Sequence, residues 1–287
     1  MVQILSVLKL IKKLEKIGKE MTSFLSEKEK NISKEFDKNG FIVKNIKDEN
    51  SLNKIRNIFI NSINKNLKKS QEFKNDDELL NFIHKKIKPY NLNNFRMKII
   101  SDINKNRDLR KLYYQISRDY LDILLGNELS MQLRINLSIQ LPKDNSSLLP
   151  LHSDVWSGDS PYETVVWLPL VNCYKTKAMY ILPPKKYGKL KSVFLKGKNA
   201  SSDKIFKKIK KDLKWIKIKY GQVLIFNQCL PHGNVVNKET ETRWSLNCRF
   251  KGVFSPYKDK KLGEFFEPIS LRKISQLAIN YKLPKIK

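Results

Sequence analysis

Residues 131–141 read MQLRINLSIQL. From Leu133 to Leu141 the odd positions are apolar (Leu133, Ile135, Leu137, Ile139, Leu141) and the even ones polar (Arg134, Asn136, Ser138, Gln140). A period of two sends successive side chains to opposite faces of an extended chain, so this segment predicts a half-buried strand. Further strands are predicted at 164–168, 178–182, 222–226 and 243–250, with turn-rich pieces between them. The upstream texture differs. Residues 27–39 are charged and helix-compatible and are stopped by Asn39-Gly40, after which 41–43 form a short apolar strand. Residues 50–70 carry Leu52, Ile55, Phe59, Ile63 and Leu67 at helical spacing, and 76–126 read as mostly helical with Gly126 as a C-cap. Helices first and short strands afterwards predict an α+β chain built on an antiparallel barrel or sandwich. No internal repeat is visible.

The 287 residues suit one large domain, or one domain with an appendage. The changes of texture divide the chain into an amphipathic N-terminal helix (1–26), a helical part (27–130), a β-rich core (131–250) and a C-terminal extension (251–287). A composition that is 40 % hydrophobic and 10 % aromatic is enough to build a core and excludes a disordered chain. In residues 1–21, Ile4, Val7, Ile11, Leu14 and Met21 keep a near-heptad spacing, while lysines interrupt the apolar run and no small-residue cleavage site follows. This reads as an amphipathic helix that packs on its own domain or pairs with a second copy in a homodimer, not as a signal peptide. A basic helix lying on a membrane surface is the alternative. The extension holds Phe254, Phe265, Phe266 and a helical-looking piece at 269–281.

Lys and Arg number 57 against 28 acidic residues, a formal charge of +29. Such a balance serves an anionic partner or reflects biased composition. Lysine outnumbers arginine, asparagine and isoleucine are abundant, and runs such as KKIKK (207–211) resemble solvated faces, so biased composition is the simpler reading. No aromatic-basic stripe marks a nucleic-acid binder, and no nucleic-acid partner is expected. Cys173, Cys229 and Cys248 form neither a disulfide framework nor a metal-type spacing, which fits a reducing cytoplasm. No apolar stretch is long enough to span a bilayer.

The candidate chemistry lies in the β-rich half. The chain has three histidines. His152-Ser153-Asp154 places an imidazole and a carboxylate two positions apart, on one side of an extended segment, where both can grip one metal ion. His232 follows the strand at 222–226 and supplies a second imidazole. Two imidazoles and one carboxylate on one face of a metal leave the opposite face open, which is the arrangement of non-haem Fe(II) oxygenases using a 2-oxoacid and O2. Arg243 follows His232 by eleven residues, and Ser245 shares its side of the strand. A guanidinium fork with a neighbouring hydroxyl suits the distal carboxylate of 2-oxoglutarate. Each signal alone arises by chance; their order and shared strand context do not. His84, in a Lys-rich helical stretch, reads as a surface or packing residue. Trp156 and Trp167 line the pocket or the core, Arg134 is placed to meet an anionic substrate, and Arg96 to cover the site from the helical part.

These residues carry a family resemblance. The segments ISKEFDKNGFIVKNI, LPLHSDVWSGDSPYETVVWLPL, KAMYILPPKK and GQVLIFNQCLPHGNVVNKETETRWSLNCRF resemble the phytanoyl-CoA dioxygenase-like branch of the 2-oxoglutarate/Fe(II) oxygenases, over roughly three quarters of the chain. The resemblance implies a double-stranded β-helix (jelly-roll, cupin-like) core with a mainly helical N-terminal part. It implies Fe(II), 2-oxoglutarate and O2 as the reaction's requirements, with His152, Asp154 and His232 as ligands. Gln140 and Asn136 fall where the family often reaches 2-oxoglutarate or substrate. The departure is Pro183-Pro184-Lys185-Lys186, in place of a Pro-Gly-Ser-His turn on the substrate side. Because the carboxylate ligand is kept, hydroxylation or desaturation is implied over halogenation. The stretch LSMQLRINLSIQLP to SPYETVVWLPL is most similar to oxygenases of bacterial carbohydrate and surface-polysaccharide gene clusters. That likeness implies a small-molecule substrate: a sugar, a nucleotide-linked sugar or a glycoconjugate intermediate. An oxygenase acting on nucleic acid or protein, a jelly roll that binds without catalysis, and a zinc hydrolase are the competing readings.

Overall fold

The computed structural model describes residues 24–67, 73–188, 190 and 201–284. The helix expected at 1–26 and any dimer contact through it lie almost wholly outside these residues.

The first described helix, α1 (Glu27–Asn39), starts and stops where local chemistry dictates. Ser26 and Glu29 form a reciprocal capping box that satisfies backbone donors of the first turn. Gly40 ends the helix at φ 74°, where any side chain would be strained and would also run into Leu230. Strand β1 (Phe41–Asn45) follows at once. Helices α2 (Glu49–Asn66), α3 (Asp76–Phe82), α4 (Pro89–Asn104), α5 (Leu109–Gln115) and α6 (Arg118–Leu125) complete the helical part, with α2 packed on α4 and α5. The last turn of α6 closes at Gly126.

The strand expected at 131–141 is two strands, β2 (Leu129–Gln132) and β3 (Asn136–Gln140). Both pair with one long partner, β9 (Arg243–Gly252), β3 beside its first half and β2 beside its second. The break has a tertiary cause. Asn104, at the end of α4, donates its amide to the Ile135 carbonyl at 3.0 Å and accepts from the Ile135 N–H at 2.8 Å. That side chain replaces the ladder partners of a residue fully buried between the two strands.

The main sheet is antiparallel throughout, in the order β1-β7-β4-β9-β2-β10, with β3 also on β9. Its other members are β4 (Glu163–Pro169), β7 (Gln222–Asn227) and β10 (Phe266–Ser270). It thus draws β1 from the helical part and β10 from the extension. A smaller sheet runs β6-β5-β8, from Lys214–Trp215, Tyr180–Ile181 and His232–Gly233. The 178–182 strand is therefore shorter than its sequence predicts, and 269–281 divides into the end of β10 and the helix α8 (Lys273–Ile279). Between β5 and β6, α7 (Ser202–Ile209) keeps Lys207 and Lys208 exposed. The two sheets form a jelly roll, and the chain is α+β as expected.

The alternation within β9 organises the interior. Trp244, Leu246, Cys248 and Phe250 are fully buried on its helix-covered face. There the Trp244 indole donates to the Leu80 carbonyl of α3 at 2.8 Å and meets Phe95 of α4 edge-on. Burying a side chain of this size contributes about 2–3 kcal/mol. The opposite face of β9 carries Arg243, Ser245, Asn247 and Arg249. No helix among the described residues is long and apolar enough to cross a membrane.

Candidate metal centre and cavity

His152 and His232 are cross-strand neighbours. Each donates its backbone N–H to the other's carbonyl, at 3.0 and 2.8 Å, and their rings lie 4.3 Å apart. Each ring is oriented the same way: His152 Nδ1 lies 2.7 Å from the Pro150 carbonyl and His232 Nδ1 lies 2.9 Å from that of Leu230. Both Nε2 atoms are thereby turned toward Asp154, whose Oδ1 is 3.5 Å from one and 3.8 Å from the other. The segment stays extended through Ser153 and turns at Asp154. Ser153 donates to the carbonyls of Gln228 and Cys229, and Asp154 opens a short 3-10 turn that runs to Ser157. The three ligand atoms lie within 4.8 Å of one another, and this is the one metal-capable His/Cys/Asp/Glu group found among the described residues. The donor set, two imidazoles and one carboxylate, suits Fe(II) and leaves coordination positions free.

Arg249 completes the site, and the sequence reading missed it. Its Nη2 donates to Asp154 Oδ2 at 2.8 Å and its Nε to Gln228 Oε1 at 3.1 Å, with Asp159 also 3.6 Å away. Gln228 in turn donates to Glu163 Oε2 at 2.9 Å. The alternation that pointed to Arg243 and Ser245 continues through Asn247 to Arg249, and that was the available signal. Burial would raise the Asp154 carboxyl, but the Arg249 guanidinium and the two imidazoles hold it below the usual aspartate range. Burial pushes the His232 imidazole down to about 4, with His152 acting in the same direction, so it stays neutral as a ligand must be.

The triad opens into a cavity of about 570 Å3 bounded by β3, β4, β9, the 146–149 loop and α4. Trp167 lines it; Trp156 does not, being 43 % exposed on the 3-10 turn. Arg134 does not reach it either: it lies exposed in the link between β2 and β3. Asn136 lines it and donates to Asn247 Oδ1 at 3.1 Å. Gln140 is not among the lining residues: its amide nitrogen donates to the Val235 carbonyl at 2.6 Å. His84 bonds the Thr242 hydroxyl at 2.9 Å, far in sequence but adjacent to Arg243, as a packing residue would.

Arg243 is 2 % exposed, and no acidic side chain among the described residues pairs with it. Its Nη2 donates to the Ser138 hydroxyl at 3.1 Å, and its buried Nε has no partner among the described residues. Register places Gln140 opposite Arg243 and Ser138 opposite Ser245. The hydroxyl of Ser245 and Oε1 of Gln140 are likewise buried without partners. Burial lowers the Arg243 pKa, but a guanidinium keeps its proton, so the fold holds an uncompensated cation inside the cavity. A ligand carboxylate matches this cation and its neighbouring hydroxyls in charge and donor geometry.

No protein-family model and no curated protein matches the chain. Solved structures do. EctD from S. alaskensis in its apoform superposes with a TM-score of 0.51 at 13 % identity, covering 81 % of this chain and 79 % of that one. HygX from Streptomyces hygroscopicus with nickel and 2-oxoglutarate bound gives 0.48 at 12 % identity, over 83 % and 90 % of the two chains. The non-heme monooxygenase ThoJ in its nickel complex gives 0.48 at 13 % identity, over 84 % of each. The EctD superposition places the jelly roll with its helical cover among known folds.

Proposed function

We propose that the chain is an Fe(II)- and 2-oxoglutarate-dependent oxygenase of the phytanoyl-CoA dioxygenase-like type that hydroxylates or otherwise oxidises a small molecule. The observation that carries this reading is the pairing, in one cavity, of a His-Asp-His ligand set with a buried arginine that pairs with no acidic side chain among the described residues. A metal site alone fits several chemistries; the second feature is what a dicarboxylate co-substrate calls for, and it has no obvious role in a zinc hydrolase.

In this reading His152, Asp154 and His232 hold the metal. Arg243 receives the distal carboxylate of 2-oxoglutarate, with Ser245 as a second donor and Ser138 as its neighbour. A metal held there would, with 2-oxoglutarate and O2, supply the oxidising chemistry that puts one oxygen atom into a substrate C–H bond, the other going into succinate as CO2 is lost. The protein's own part is to fix the ligands, orient the co-substrate through Arg243, and present the substrate from the side bounded by α4 and the 146–149 loop. A sugar, nucleotide-linked sugar or glycoconjugate intermediate is the proposed substrate, supported by the sequence likeness of the core segments. The proposed division of the chain keeps 131–250 as the unit that carries the chemistry.

The test is anaerobic titration of Fe(II) and 2-oxoglutarate into metal-free protein, following the visible metal-to-ligand charge-transfer band. A band that is lost in His152→Ala and needs far more co-substrate in Arg243→Ala is expected. No band in the reduced wild type overturns the assignment and favours a jelly roll that binds without catalysis.

A further inference from the structure

A second arginine faces the same cavity from the helical side. Arg96 and Ile100 lie one turn apart on α4, and both line the space above the triad. The Arg96 Nε is buried with no hydrogen-bond partner, and its Nη2 donates to the neutral Asn93 Oδ1 at 2.7 Å. No carboxylate among the described residues pairs with it. Unlike Arg249, it is not tied to the metal ligands, and unlike Arg243 it projects from a helix outside the sheet.

The charge balance of the cavity gives this arginine a task. Among the lining residues are three guanidiniums, Arg96, Arg243 and Arg249, and one carboxylate, Asp154. A divalent metal adds two positive charges, and 2-oxoglutarate brings two negative ones. The loaded cavity thus keeps the surplus of two positive charges that it has when empty. In a partly enclosed site such a surplus is poorly screened and favours an anionic ligand. The metal and Arg243 take up the two carboxylates of the co-substrate, and Asp154 neutralises Arg249. Arg96 is left as the cation for the substrate.

We infer that Arg96 is a specificity-determining residue and that the substrate carries an anionic group, a phosphate or a carboxylate, which the Arg96 guanidinium binds. This rests on the oxygenase reading for the identity of the other ligands but not for the anion site itself. Asn136 and Asn247, bonded to each other on the cavity wall, supply neutral polar groups for the remainder of the substrate.

The experiment is calorimetric titration of the full chain, loaded with Ni(II) and 2-oxoglutarate, with three probes: glucose 1-phosphate, glucuronate and glucose. Wild type, Arg96→Gln and Arg96→Lys are compared, and their thermal unfolding confirms that each is folded. The expected result is that one anionic probe binds at least about tenfold more tightly than glucose, the scale of a charge-assisted hydrogen bond. The probe that binds tells phosphate from carboxylate. Arg96→Gln should abolish the preference, Arg96→Lys should keep part of it, and both should bind 2-oxoglutarate as wild type does. Equal binding of glucose and the anions overturns the inference, as does failure of both anions to bind. So does a roughly tenfold loss of 2-oxoglutarate affinity in Arg96→Gln, which would assign Arg96 to the co-substrate. If Ni(II) and 2-oxoglutarate do not load, the oxygenase reading fails separately. The same probes on the metal-free chain then decide the anion site alone.

Discussion

Arg249 holds one oxygen of Asp154, Oδ2, at 2.8 Å, leaving the other, Oδ1, facing both imidazole Nε2 atoms. The carboxylate is thereby divided between an internal ion pair and the metal position, and its rotation is fixed before any metal arrives. Replacing Arg249 by Met should lower Ni(II) or Fe(II) affinity by about 10- to 100-fold, the usual consequence of losing a partner that orients a ligand. Competition against a chelator of known affinity measures this. Arg249→Lys should recover only part of it, because one ammonium cannot bond both Asp154 and Gln228 in the same geometry.

Arg243 predicts an exchange of stability for binding. An uncompensated buried guanidinium destabilises the folded chain, whereas Met of similar length does not. Arg243→Met should raise the unfolding free energy of the metal-free protein by about 1–3 kcal/mol, while weakening 2-oxoglutarate binding at least about a hundredfold. Denaturant unfolding and co-substrate titration of the same preparations check both halves.

The His232 imidazole sets a pH dependence. Its pKa falls from 6.5 to about 4 on folding, mainly through burial. The unfolded chain therefore binds more protons between those values. The stability that comes from keeping the ring neutral is complete above pH 6.5 and lost as pH falls toward 4, by on the order of 3 kcal/mol. Asp154, held below 3.8, adds a loss in the same direction at still lower pH. Denaturant unfolding of the metal-free protein at a series of pH values should show this slope, and His232→Gln should flatten it between pH 6.5 and 4.

Gly40 connects the start of the sheet to the metal site. Its φ of 74° disfavours any side chain, and a Cβ there would meet Leu230, whose carbonyl orients His232. Gly40→Ala should cost about 1–3 kcal/mol and reduce metal affinity as well. Thermal unfolding and chelator competition report the two effects, and an unchanged metal affinity would show that Leu230 yields without disturbing the ring.

Asn104 is the corresponding device for the fold. Asn104→Ala would leave the buried N–H and C=O of Ile135 without partners, at about 1–3 kcal/mol. Hydrogen exchange at Ile135 should accelerate well beyond that of its neighbours in β3.

How much of this was legible in the sequence depends on where the determinant lies. The α1 boundaries were, because Ser26, Glu29 and Gly40 act on their own turns. The triad was, because two ligands sit within three residues of each other and the third follows a readable strand. The division of 131–141 into β2 and β3 was not, since it is imposed by a side chain from α4. Arg134 turned outward and Gln140 toward Val235 for the same reason: periodicity assigns a face, while the neighbouring chain decides what that face meets. Arg249 lay in a pattern already in use, and its importance appeared only when the fold set it beside Asp154.

Strand β9 has a consequence for inheritance. One face is the hydrophobic floor of the helical cover and the other is the polar wall of the cavity, so the strand offers few positions free to drift. Sliding it by a single residue would drive Arg243 and Arg249 into oil and turn Trp244 and Phe250 toward the metal. Descendants of this sequence can change their substrate by exchanging letters along one side of β9, but an inserted or deleted codon there would erase chemistry and folding together.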